Sequence, residues 1–172
     1  MAVSLPTDDL FSQQWFLHNT VTGQYDLDVV SAWADYTGKG VKVMVMDNGF
    51  DHEHVDLKPN YDFADSYDYG AGDSDAAPDD NNASNGVTDD HGTSVMGIIG
   101  AARNGVGVVG VAYDATLIGA SIRYEDTADD WTSKFAHALS DAVTEGVGVI
   151  NMSFGPHRIT TAIMERRTLL PK

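Results

Sequence analysis

The stretch DDHGTSVMGIIGAARNGVGVVGVA, from Asp89 to Ala112, constrains this chain more than any other. Its first half predicts a helix opening at His91, because Val95, Ile98, Ile99 and Ala102 recur at helical spacing and make one apolar face. A Gly/Val-rich loop then leads to a strand expected over Thr116 to Arg123. Upstream, VKVMVMDNG, from Val41 to Gly49, reads as a buried parallel strand that ends at Asp47 and is turned out by Asn48-Gly49. Open α/β sheets place their functional groups beyond such strand ends. His91 sits at a helix mouth, where the positive end of the dipole favours neutral imidazole, the form that accepts a proton. A strand-end Asp and a helix-start His are two parts of a hydrolase triad.

The remaining elements fit the same class. Trp131 to Glu145 predicts a helix with Phe135, Ala138, Leu139 and Ala142 on one face and Gly146 as its stop. A last strand follows over Val147 to Met152. Near the start, Asp28 or the residue before it caps a helix holding Val29, Val30, Ala32 and Trp33, expected to cover one face of the sheet and to stop near Thr37-Gly38. The segment before Thr22 lacks periodicity and reads as an extended arm that packs Phe11, Trp15, Phe16 and Leu17 on the domain surface. From Asp51 to Asp90 turn-formers dominate, so this region is loop, with one short strand near Asn60 to Phe63. Strands alternating with helices through right-handed crossovers give an α/β class: a doubly wound parallel sheet with flanking helices.

Charge narrows the partners. With 26 acidic against 10 basic residues and a formal charge of −16, the chain is ill suited to nucleic acid or anionic membranes and compatible with bound calcium or cationic substrates. It has no cysteine, so disulfides play no part. The opening MAVSLPTDD has neither a charged n-region nor a long apolar h-region, so no signal peptide is read, and no apolar run is long enough for a membrane span.

Three blocks carry a family resemblance: TGKGVKVMVMDNGFDHEHVDL, DDHGTSVMGIIGAARNGVGVVGVA and GVGVINMSFGP. In order and spacing they resemble the Asp block, the His block and the substrate strand of subtilisin-like serine proteases, the subtilases. The opening DDLFSQQWFLHNT, with DLDVVSAWADYTGKG and LKPNYDFADSYD, is most similar to the kexin/furin branch. The resemblance spans roughly residues 8 to 156 and implies a serine endopeptidase of secreted or extracellular location. It makes Asp47 the acid and His91 the base of the triad, and Ser153, Phe154 and Gly155 the strand beside which an extended protein or peptide substrate lies. Three departures argue against carrying over cleavage after basic pairs: Asn48 stands where that branch has a second Asp, Phe154 where it has Trp, and His157-Arg158 where an acidic run follows in it.

The same resemblance implies calcium. Asp56 lies nine residues beyond Asp47, and the loop after the His91 helix has Asn104 flanked by the carbonyls of Ala102, Val106 and Val108. Asp8 would close that shell from the arm, and a hard cation takes about six to eight such oxygens. The same residues also read as an Asn-Gly turn beside unrelated surface carboxylates. A second calcium is implied at Asp68, Asp73 and Asp75, which read equally as a solvated acidic loop. An EF-hand started at Asp80 fails because its required Gly is Asn85, and His52-Glu53-His54 reads as surface rather than as a zinc site.

Residues 1–156 therefore read as the N-terminal portion of a subtilase catalytic domain. Residues 157–172 form a basic tail of unclear origin, holding four of the ten basic residues and one acidic residue. The nucleophile block and oxyanion Asn that the family places further on do not follow in that tail, so the chain as written is expected to be an inactive fragment. Ser94, one turn into the His helix, reads as a packing residue, and Ser153 as part of the substrate strand. The alternative is a non-catalytic calcium-binding or interaction module that keeps a subtilase half-fold.

Overall fold

The computed structural model describes residues 4–78, 90–122 and 128–153. Its centre is β1 (Lys42–Asp47), flanked in a parallel sheet by β3 (Thr116–Ser121) on one side and β4 (Val149–Asn151) on the other, with β2 (Tyr67–Asp68) outside β3. The register sets Asp47 beside Ser121, so the strands end level with each other at the carboxyl edge. Val43 and Val45 face one cluster with Phe50, Leu57, Met96 and Leu117, while Met44 and Met46 face another with Ile118, Ala138 and Ala142. A strand covered on both faces carries an unbroken apolar run, and each such side chain fully buried contributes about 1.5–3 kcal/mol.

Two helices supply the covers. Helix α2 (His91–Gly100) lies over the first cluster and α3 (Ala128–Thr144) over the second. The chain leaves β1 to reach β3 on one side and returns through α3 to β4 on the other. The topological switch point of this doubly wound sheet is thus the carboxyl end of β1, where Asp47 stands and where open sheets bind ligands.

The sequence misplaced the core face of α2. Ile98 is 56% exposed and Ala102 lies beyond the helix end, whereas Gly92, Met96 and Gly100 are buried and Val95 and Ile99 pack beside them. A Cβ on Gly100 would come within 2.7 Å of Leu117, and one on Gly92 within 2.4 Å of the Gly49 carbonyl oxygen. These glycines let the helix backbone lie against the sheet, which turns the 92/96/100 stripe inward. A periodicity count that scores only large apolar residues cannot see that.

Helix α1 (Val29–Ala32) does not cover the sheet as expected. Val29 and Trp33 join Phe11, Leu17, Val109 and Tyr113 in a separate cluster, and Trp33 Nε1 donates to the Val111 carbonyl at 2.8 Å. Gln14 reinforces it by exchanging two hydrogen bonds with the Val109 backbone, at 2.8 and 2.9 Å. The arm therefore buries Phe11 and Leu17 and leaves Trp15 exposed, anchoring residues 109–113 rather than lying on the surface. Where a strand was expected over residues 60–63, only Tyr61 forms an isolated bridge, to Leu117. The short strand β2 was not anticipated, whereas β1, β3, α3 and β4 match their expected positions to within a few residues, with β3 and β4 shorter than predicted. Among the described residues no helix is long and apolar enough to cross a membrane.

Candidate active site

Asp47 and His91 come together at the switch point across 44 residues of chain. His91 Nδ1 lies 2.9 Å from both Asp47 carboxylate oxygens, and Asp47 Oδ1 also accepts the Asn48 backbone N–H at 2.9 Å. A carboxylate only accepts, so Nδ1 must be the donor, and in the neutral ring Nε2 is then the free acceptor. The Asp47 carboxylate is buried while the His91 side chain is 53% exposed. That contrast suits an orienting acid behind a ring that must meet other reactants.

Further bonds hold the two segments in register. Asn48 Oδ1 accepts the Gly92 N–H at 3.3 Å, and Thr93 Oγ1 accepts the Asp51 N–H at 2.8 Å, so residues 47, 48 and 51 each tie to one residue of the first turn of α2. Behind them, Phe50 N–H donates to the Ala76 carbonyl at 2.9 Å, and a Cβ on Gly49 would meet the Pro78 backbone at 2.7 Å. Sequence reasoning missed the contributions of Asn48, Asp51 and Thr93; Asn48 had been singled out as part of the turn after the strand and as a family departure.

No serine hydroxyl is hydrogen-bonded to His91 among the described residues. Ser94 is exposed on α2, which corrects its reading as a packing residue, and its N–H donates to the Asp90 carbonyl at 3.0 Å. Ser153 is exposed just past β4, its hydroxyl donating to Asn151 Oδ1 at 2.8 Å. Phe154 and Gly155 lie outside the described residues, as do Asp80 and Asn85.

A second polar centre joins the arm to the loop after α2. Asp8 and Asp56 are 4% and 2% exposed, which rules out the reading as surface carboxylates beside a turn. Asp8 Oδ1 accepts the N–H groups of Asn104 and Gly105, each at 3.1 Å, and Asp56 Oδ2 accepts that of Val108 at 3.0 Å. The remaining oxygens, Asp8 Oδ2 and Asp56 Oδ1, are buried without a protein partner. Asn104 Oδ1 accepts one bond, from the Val106 N–H, and no amide among the described residues claims the carbonyls of Ala102, Val106 or Val108. Orphaned carboxylate oxygens are costly to bury, and a hard cation satisfies them together with carbonyls of this kind. Gly107 is required here: at φ +56° its missing Cβ would lie 2.2 Å from Asp56 Oδ2. The residues predicted for the first cation thus fit one.

The residues predicted for the second do not gather. Among the described residues no group of three or more His, Asp or Glu side chains comes together to hold a metal. Asp68 is buried, with Oδ1 accepting the Gly70 and Ala71 N–H groups, whereas Asp73 Oδ1 accepts the Asp75 N–H. Asp75 pairs with His52 Nε2 at 3.0 Å, and that bond, ahead of the Ala77 N–H, holds its carboxyl below the usual range. A short backbone bridge joins Asp68 and Asp73, with the Asp68 N–H donating to the Asp73 carbonyl at 2.8 Å.

Comparison with known proteins decides the family, since the Subtilase family, peptidase S8, matches residues 38–169. The chain belongs to the subtilase family. It is 43% identical over 124 residues to neuroendocrine convertase 2 of Drosophila melanogaster, a match spanning 66% of this chain and 18% of that protein. It is 42% identical over 121 residues to furin of Bos taurus, spanning 66% of the chain and 14% of that protein. Among solved structures, the Aeromonas sobria serine protease, in complex with a chaperone, superposes with a TM-score of 0.71 at 28% identity, over 94% of this chain and 29% of that one. This subtilase chain therefore spans about a fifth or less of the curated relatives it matches. The residues matched by the family, 38–169, hold the strand end, the helix start and the paired Asp47 and His91.

Proposed function

We propose that this chain supplies the acid and base of a serine endopeptidase, and that its fold is held by a structural calcium ion. The observation that carries the first part is the buried Asp47 carboxylate behind the Nδ1 of a half-exposed His91 at the switch point of the sheet. A serine hydroxyl is a poor nucleophile until a base takes its proton as it attacks the peptide carbonyl. With Nδ1–H committed to Asp47, His91 Nε2 takes that proton, the negative carboxylate stabilises the imidazolium, and the same Nε2–H is then delivered to the departing amine. Asp47 stays ionised throughout. The serine and the oxyanion donors are supplied from outside the described residues.

The substrate is a protein or peptide in extended form. β4 is the outer strand of the described sheet, and Ser153 follows two residues beyond its end, so a peptide lying alongside would add by main-chain hydrogen bonds. A non-catalytic module would have no use for a buried carboxylate aimed at a half-exposed imidazole, and this favours the enzyme. A secretory or extracellular location accompanies the reading. The test is a peptide-hydrolysis assay on a version continued to the nucleophile, expected to cleave, beside residues 1–172 alone, expected not to. A folded continued version without activity would overturn the reading.

Calcium fits the Asp8, Asp56 and Asn104 cradle, with the carbonyls of Ala102, Val106 and Val108 completing an oxygen shell. When bound it would neutralise two buried carboxylates and pin the arm to the loop after α2. A ligand that binds only the folded state adds about 2.7 kcal/mol when free ion is about a hundredfold above the dissociation constant. Chelation should therefore lower the melting temperature, and in Asp56→Ala that response should vanish. An unchanged melting temperature on chelation would exclude the ion.

A further inference from the structure

Asn48 touches both halves of the acid–base pair. Its backbone N–H donates to Asp47 Oδ1 at 2.9 Å, and its side-chain Oδ1 accepts the Gly92 N–H at 3.3 Å. Gly92 is the second residue of α2 and follows His91 directly. The first N–H groups of a helix have no partner within it, and the residue just before the helix normally supplies the capping oxygen. Here that residue is Asp90, which makes no side-chain cap bond. The helix carrying His91 is instead capped from the strand end carrying Asp47.

We propose that Asn48 is a positioning residue, whose side-chain oxygen caps α2 from across the fold and so fixes the His91 ring against the Asp47 carboxylate. The proposal rests on the acid–base reading above and deepens it. One residue ties its backbone to the acid and its side chain to the turn bearing the base, so neither can shift without straining the other bond. The neutrality of Asn48 also matters. Asp47 is the one ionisable side chain bonded to His91 among the described residues. A second carboxylate beside it, such as the Asp that the kexin/furin branch has at this position, would favour the imidazolium. Asn supplies the same acceptor oxygen without the charge.

The experiment uses the full 172-residue chain labelled with 15N-histidine, and reads the Nδ1–H proton of His91, assigned among the six histidines by its loss in His91→Gln. In the unsubstituted chain this proton should be slow to exchange and shifted downfield by its carboxylate partner. In Asn48→Ala it should broaden or disappear, while near-UV circular dichroism and the other histidine signals stay in place. A purely structural role would lower the melting temperature and leave the His91 proton unchanged. In Asn48→Asp the cap remains, so the proton should persist, and the His91 titration midpoint should move up relative to the unsubstituted chain. Wild-type shift and exchange in folded Asn48→Ala would overturn the proposal. If Asn48→Ala does not fold, loss of the proton or an unmoved midpoint in Asn48→Asp overturns it. If the proton is absent from the unsubstituted chain, or survives in Asp47→Asn, the acid–base pair itself is refuted and the proposal with it, a pattern distinct from failure of Asn48 alone.

Discussion

Asp47→Asn should lower turnover by about 10⁴-fold, or about 5 kcal/mol of transition-state stabilisation, in a version continued to its nucleophile. The amide has nearly the shape of the carboxylate, so the fold should be kept. Its NH2 group can, however, donate to His91 Nδ1, which then becomes the acceptor and leaves the ring proton on Nε2, the nitrogen that must take one up. The loss should appear in kcat with KM little changed, because the interaction matters only once charge develops on the ring. Steady-state kinetics on the two proteins, after matching their circular dichroism, would measure it. A KM effect alone would show that Asp47 shapes substrate binding instead.

Gly92→Ala should also be damaging, for a different reason. The added Cβ would lie 2.4 Å from the Gly49 carbonyl oxygen and 2.9 Å from Asp47 Cβ, and neither neighbour is the loose end of a flexible side chain. The first turn of α2 must back away from β1, carrying His91 from Asp47. Overpacking of this kind costs about 1–3 kcal/mol of stability. A displacement of about 1 Å at a reacting group costs about 10²-fold in rate. Both losses should appear together, as a lower urea midpoint and a lower kcat. A variant with parent stability and rate would mean that the helix and strand approach less closely than this structure has them.

Much of the fold was legible because it rests on runs of apolar residues and on clear stops. The strand ending at Asp47 showed itself by Val43 to Met46 and by Asn48-Gly49, and α3 by the spacing of Phe135, Ala138, Leu139 and Ala142 before Gly146. What was not legible depends on small residues and on contacts between distant segments. Gly92 and Gly100 set the buried face of α2 by having no side chain, which a hydrophobic pattern scores as a blank. Gln14 and Trp33 commit α1 and the arm to residues 109–113 through hydrogen bonds spanning 78 to 95 positions. Of the candidate site, Asp47 and His91 were readable from a strand end, a helix start and family blocks. In the acidic loop, spacing says which carboxylates are near in sequence but not that Asp75 is bound by His52 or that Asp68 accepts two N–H groups of its own turn.

Labelling by a serine-directed phosphonate tests the triad reading most directly, because the reagent reacts only with a serine whose proton a base removes. Residues 1–172 alone should remain unlabelled. A continued version should take up one equivalent at the serine that the continuation supplies and lose that labelling in His91→Ala. Labelling of Ser94 or Ser153 in the chain as it stands, or labelling of the continued version that survives His91→Ala, would contradict the assignment of His91 as the base.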